Sequence, residues 1–257
     1  MRFARRVFKA LWGAPPGIRV GVAVGALLAL AFAVNGVYQV ARKPAELFFP
    51  VSGVLAKTPA ETWRQYEPLF RAHATPVMTP EFLAALAQVE GAGNPIARTQ
   101  WRWRMTSHPA EIYRPASSAV GMYQITDATY ADAKRYCIHD HAVVQDGPWH
   151  DPGSCWFNSL YLRVVPSHAV EMTSALLDRR SAEVLARHRL KQATRQQQQD
   201  LAAIIHLCGS AVGEVYAKRA FRLAAGQRCG DQDVRMYLAQ VNAMKRIFLA
   251  LANRQSR

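Results

Sequence analysis

Acidic side chains are scarce in this chain. It has 18 Asp and Glu against 32 Lys and Arg, a formal net charge of +14. Such a balance suits an anionic partner: nucleic acid, an anionic membrane surface or an acidic polymer such as a bacterial cell wall. Cysteine is also sparse, with four in 257 residues, and none sits in a Cys-x-x-Cys pair, which removes the support for a zinc or thiol-redox centre. Among the eight histidines there is no His-Glu-x-x-His spacing. His139, His141 and His150 lie near Asp140, Asp146 and Asp151 but read as loop polar residues, so no metal is expected. No internal repeat is visible and few stretches alternate as strands do. Half of the residues are apolar, enough for a sizeable core in one domain plus extra segments.

One long apolar run is present. Arg2, Arg5, Arg6, Lys9 and Arg19 precede Val20 to Val40, which is uncharged and has only Asn35 and Gln39 as clearly polar members. A helix of this length is long enough for a hydrocarbon core of ~30 Å. The basic flank keeps the N-terminus cytoplasmic, which places the remainder in the periplasm of a diderm bacterium. Ala31-Phe32-Ala33 fits a signal-peptidase site, so a cleaved signal peptide is the rival. The run continues past it to Val40, which argues for an uncleaved anchor in the inner membrane. No cysteine follows closely, which argues against a lipoprotein. The expected organisation is a leader at 1–19, an anchor at 20–41, a Pro-punctuated linker at 42–60 and a mainly α domain at 61–253.

Within that domain, Thr79 can cap a helix and Pro80 suits its first position. Leu83, Leu86 and Glu90 share one face, and Gly91, Gly93, Asn94 and Pro95 end the helix. Glu90 is thus a carboxylate in line with an apolar stripe, in a last helical turn. Desolvation and the negative helix end both disfavour its charged form, as a general acid requires. Downstream stands Ser118-Ala119-Val120-Gly121-Met122-Tyr123-Gln124-Ile125-Thr126.

These two motifs resemble those of the soluble lytic transglycosylase family, over roughly 76–225. In that family a catalytic Glu, usually followed by Ser, ends a helix; a Gly-Leu-Met-Gln-like loop lines the cleft; and an Ala-Tyr-Asn-x-Gly-like segment closes it. Glu90 matches the acid, with Gly91 where Ser is usual. Gly121, Met122, Tyr123 and Gln124 match the cleft loop. Ile205 to Gly209 occupies the third motif, with His206 standing for its tyrosine and Leu207 for its asparagine. The resemblance implies a lysozyme-like fold with a small β-hairpin, and cleavage of the β-1,4 bond between N-acetylmuramic acid and N-acetylglucosamine in peptidoglycan. It implies further that one glutamate, Glu90, does both proton transfers and closes a 1,6-anhydro ring. No cofactor is implied. Gln124 would hold an N-acetyl group by donor and acceptor together; Tyr123 is a sugar platform or simply core; Ser118, Met122 and His206 are further contacts. No second carboxylate is obvious, although Glu111 and Asp127 flank the motifs. The alternatives are a muramidase of the same fold and a wall-binding part of an envelope secretion or assembly machine. Nucleic-acid binding rests on charge and on Trp101-Arg102-Trp103-Arg104, and the exported topology disfavours it.

That Trp-Arg stretch reads as a strand or hairpin: a lip over the cleft, a single-strand binder or a structural element. Further expectations are a helix from Glu61 to Ala72 kinked or interrupted at Pro68, one from Thr126 to Tyr136, an irregular stretch from Cys137 to Asn158, and helices at 167–188, 201–208 and 212–225. Asp231 caps a last one reaching Ala252. An even number of cysteines in an exported domain suggests disulfides. Of three pairings, Cys137–Cys155 and Cys208–Cys229 each close a short loop around an irregular stretch.

Overall fold

The apolar run forms α1, Pro16–Arg42, which starts earlier than expected because Pro16 opens its first turn. The computed structural model describes residues 13–48, 52–151 and 153–255. The leader residues Arg2, Arg5, Arg6 and Lys9, linker residues Phe49 and Pro50, Pro152 and the terminal Arg257 lie outside them. Among the described residues, α1 is the one helix long and apolar enough to cross a membrane. Its buried residues are Asn35 and Gln39, one turn apart on one face. Their amides donate to the carbonyls of Tyr113 (2.8 Å) and Ala110 (2.6 Å). These acceptors belong to the expected hairpin: β1 (Trp101–Trp103) pairs antiparallel with β2 (Tyr113–Pro115), Trp103 opposite Tyr113. Trp103 meets Phe32 edge-on at 6.1 Å, and Glu111 pairs with Arg42 at 2.9 Å. Residues 100–116 therefore form a compact unit with the N-terminal segment, whereas 48–99 and 117–257 form a second unit. Sequence order had placed 100–116 inside the 61–253 domain.

The linker contains two 3-10 turns, Pro44–Phe48 and Ser52–Leu55. After it, α2 spans Pro59–Ala72, opened by a capping box in which Thr58 and Glu61 satisfy each other's backbone donors. Pro68 does not interrupt it. Pro68 and Arg64 are both exposed, so the carbonyl left without a donor faces water. The central helix, α3, spans Pro80–Gly91 and is capped by Thr79 as expected. Phe82 through Ala87 are all buried, the pattern of a helix enclosed by others. It packs against α2 and the last helix, α8 (Val234–Gln255). Trp63 of α2 lies 5.7 Å from the ring of Phe248 of α8 and 6.3 Å from Phe70, an aromatic centre for this core.

Thr126 caps α4, which stops at Ala133 rather than Tyr136. Tyr136 instead opens β3 (Tyr136–His139), which pairs with β4 (Ala142–Gln145). The stretch expected to be irregular thus contains a hairpin, turned by Asp140 and His141 at φ +48° and +61°. Next come α5 (Pro166–Arg187) and α6 (Arg195–Cys208), the latter capped by Thr194 and Gln197. The following helix, α7, ends at Lys218 instead of 225, because Ala220 and Phe221 turn left-handed. A two-residue pair, β5 (Arg228–Cys229) and β6 (Gln232–Asp233), leads into α8. Asp233, not Asp231, caps that helix, accepting from the Met236 amide at 3.0 Å. Both disulfides form as expected, Cys137–Cys155 and Cys208–Cys229. The chain is mainly helical, with three small antiparallel hairpins among the described residues where sequence suggested one.

Candidate active site

Three helices converge on Glu90. It stands in the last turn of α3, which ends because Ala92 and Gly93 turn left-handed, at φ +50° and +63°. The Glu90 side chain keeps 16% of its surface accessible. Tyr237 of α8 donates its hydroxyl to Glu90 Oε1 at 2.5 Å. His206, near the end of α6, places Nε2 3.6 Å from the same oxygen and is 9% exposed. Burial, then the Glu90 charge, pushes the Tyr237 hydroxyl well above its ordinary range, so Tyr237 remains a donor at any working pH. Sequence reading missed Tyr237. Its signal was present: Val234, Tyr237, Leu238 and Val241 form the buried stripe of α8, and a tyrosine on such a stripe needs a partner for its hydroxyl.

Tyr237→Phe removes that donor and keeps the ring. A hydrogen bond to a charged group contributes about 1.5–3 kcal/mol, so any turnover that depends on Glu90 should fall ~10- to 100-fold. The same loss should lower the melting temperature, followed by circular dichroism, by roughly 3–12 °C, which leaves the chain folded at the assay temperature.

Gly91 has a steric reason. A Cβ there would lie 2.9 Å from both Cα and O of Met122, contacts that backbone atoms relieve only by moving. The loop of the second motif therefore passes directly against the end of α3. Gly91→Ser, which would restore the residue usual in the resembling family, is expected to destabilise the fold by about 1–3 kcal/mol through overpacking. Urea unfolding of that variant measures it.

The loop is closed by backbone bridges between Val120 and both Arg98 and Ile125. Gly121 adopts φ +82°, and a Cβ there would stand 2.5 Å from the Arg163 carbonyl. Met122 and Tyr123 have no exposed surface. Tyr123 donates to the Leu83 carbonyl at 3.1 Å, anchoring the loop to α3. Of the two readings for Tyr123, its full burial agrees with core, and Met122 is buried with it. Gln124, at φ +47°, spends its amide donors on the carbonyls of Ala97 (3.1 Å) and Gly121 (2.9 Å). Its acceptor oxygen alone is left for a ligand, not the donor–acceptor pair expected. Ser118 accepts from the Asp127 amide at 3.1 Å.

Gln124 and His206 both line a cavity of about 230 Å³, together with Thr126, Thr129, Met172 and Thr173. The Thr173 hydroxyl in its wall is buried without a hydrogen-bond partner. Ser118, Met122 and Tyr123 are not part of that lining. The two flanking carboxylates are engaged elsewhere: Asp127 pairs with Arg163 at 2.8 Å, and Glu111 with Arg42 and Arg114. Among the described residues no three of His, Cys, Asp and Glu gather as a metal-ligand set. His141 lies 2.9 Å from the Ala74 carbonyl, and Asp146 pairs with Arg135.

The arrangement can move a proton at one carboxylate while a phenol holds that group in place. Comparison with protein-family models finds no match, and a search of curated proteins finds no relative.

Proposed function

We propose that the chain is a peptidoglycan lytic transglycosylase of lysozyme-like fold, with Glu90 as its general acid and base. The observation that carries this reading is the position of Glu90. It is a carboxylate at a helix end, held by Tyr237 and beside His206, and the next residue, Gly91, lies against the backbone of the Gly121–Gln124 loop. The two motifs of the resemblance, some thirty residues apart in the chain, meet there.

In the proposed reaction protonated Glu90 gives its proton to the glycosidic oxygen, and the bond from that oxygen to the muramyl C1 breaks. The leaving N-acetylglucosamine carries away the new hydroxyl. Glu90, now a carboxylate, takes the proton of the muramyl C6 hydroxyl as O6 bonds to C1. The acid is regenerated, and no water is consumed. One carboxylate suffices, unlike the paired carboxylates of most glycosidases. Tyr237 donates to the carboxylate between the two transfers and fixes its orientation.

Crossing of the inner membrane by α1, with the remainder periplasmic, fits this substrate. The two disulfides support an oxidising compartment, and the net charge of +14 suits an anionic wall. The test is mass spectrometry of purified peptidoglycan digested with the detergent-solubilised whole chain. Muropeptides ending in 1,6-anhydro-muramic acid support the reading. Reducing ends, heavier by the mass of water, overturn it in favour of a hydrolase.

A further inference from the structure

The hairpin of residues 100–116 packs on α1 and carries an exposed surface of its own. Two amides of α1, Asn35 and Gln39, clasp it through backbone carbonyls, and the Arg42–Glu111 pair adds a third tie. Between helix and hairpin opens an apolar hollow of about 140 Å³, lined by Ala31, Phe32, Asn35, Trp103, Ile112 and Tyr113. Trp103 is 65% exposed and Met105 wholly so. Arg102 and Arg104 are exposed on the same hairpin.

About 20 helical residues cross a hydrocarbon core of ~30 Å. If the clasp marks the far end of such a span at Asn35, not at the 41 expected from sequence, the span begins at Pro16, at the start of α1, and Arg19 in its first turn reaches back to the near headgroups. The turns from Asn35 to Arg42 then emerge at headgroup level and carry the hairpin there. Aromatic side chains settle at that depth, and arginines there meet lipid phosphates. The hollow lies on the bilayer side of Asn35, at the height where acyl chains begin.

We infer that the clasped hairpin is a phospholipid-binding element seated in the outer leaflet of the membrane that α1 crosses. An acyl segment fills the hollow on the Trp103–Tyr113 face, and Arg102 and Arg104, on the hairpin's other face, meet the phosphates of neighbouring lipids. The inference rests on reading α1 as a membrane span, and wall cleavage does not enter its test.

The described cysteines are all paired, so Met105→Cys supplies a single thiol for an environment-sensitive fluorophore. The labelled whole chain is placed in vesicles of phosphatidylethanolamine and phosphatidylglycerol, with nitroxide lipids labelled at shallow or deep acyl carbons. Flotation after an alkaline wash reports the span. The probe reports the hairpin. An interfacial seat predicts blue-shifted emission and about twofold or more greater quenching by shallow than by deep nitroxides. The Asn35→Leu/Gln39→Leu variant keeps α1 apolar and should still float, with the probe released to water. Protein that floats with a water-exposed probe overturns the inference, as does a probe unmoved in the double variant. Protein that fails to float overturns it through the span, with the proposed chemistry untouched.

Discussion

Glu90→Gln is expected to lower release of 1,6-anhydro-muropeptides by ~10³-fold or more. General acid–base catalysis contributes about 10²–10⁴-fold where a single proton transfer is assisted, and here one group assists two. Glutamine has the same shape, and its amide oxygen can still accept from the Tyr237 hydroxyl, which donates to Glu90 at 2.5 Å. What is removed is the exchangeable proton. Stability should therefore change little, and sedimentation with intact wall sacculi should persist. A variant that turns over within about tenfold of the parent, a barrier change of only ~1.4 kcal/mol, would falsify the assignment of Glu90. A variant inactive because it is unfolded is recognised by lost helical dichroism, and Glu90→Asp then provides the test: it keeps the acid and shortens its reach.

What was legible in the sequence is what local rules determine. The helix carrying Glu90 could be read because cap, first-turn proline and glycine stop lie within sixteen residues of one another, Thr79 to Asn94. Disulfide pairing was legible for a similar reason: each bridge spans a short stretch, 18 and 21 residues. Tertiary partners were not legible. Tyr237 reaches Glu90 across 147 residues; its place on the apolar stripe of α8 says that its hydroxyl needs a partner, not which one. Asn35 and Gln39 stood out as the polar members of an apolar run, yet their acceptors lie 78 and 71 residues away. That Met122 and Tyr123 are both fully buried could not be read from the motif, which gives order along the chain and not which side chains turn inward. Gln124 was placed at the cavity, but its donors are consumed by its own loop. The β3–β4 hairpin escaped notice because Asp-His, rather than Asn-Gly or Asp-Gly, makes its left-handed turn.

Replacing both cysteines of the 208–229 bridge by serine is expected to do more harm than replacing the 137–155 pair. The two bridges close loops of similar length, with separations of 21 and 18 residues, so chain entropy gives each about 3 kcal/mol. For a domain of this size that is roughly 6–12 °C in melting temperature for either double variant. Their positions differ. Cys208 is two residues beyond His206 on α6, and Cys229 lies in β5, eight residues before Tyr237 of α8. That bridge ties the end of α6, which carries His206, to the strand that leads into α8, which carries Tyr237. The other joins Cys137 of β3 to Cys155, which precedes the 3-10 turn Trp156–Leu160, and lies in neither element that carries His206 or Tyr237. At a temperature where both variants remain folded, loss of Cys208–Cys229 should lower the rate of wall cleavage ~10-fold, since small misplacements of catalytic groups are costly. Loss of Cys137–Cys155 should leave that rate close to the parent's. Equal losses of rate in both variants would mean that the bridges act through global stability alone, and that the site around Glu90 is held by packing of α3 and α8 without help from the Cys208–Cys229 tether.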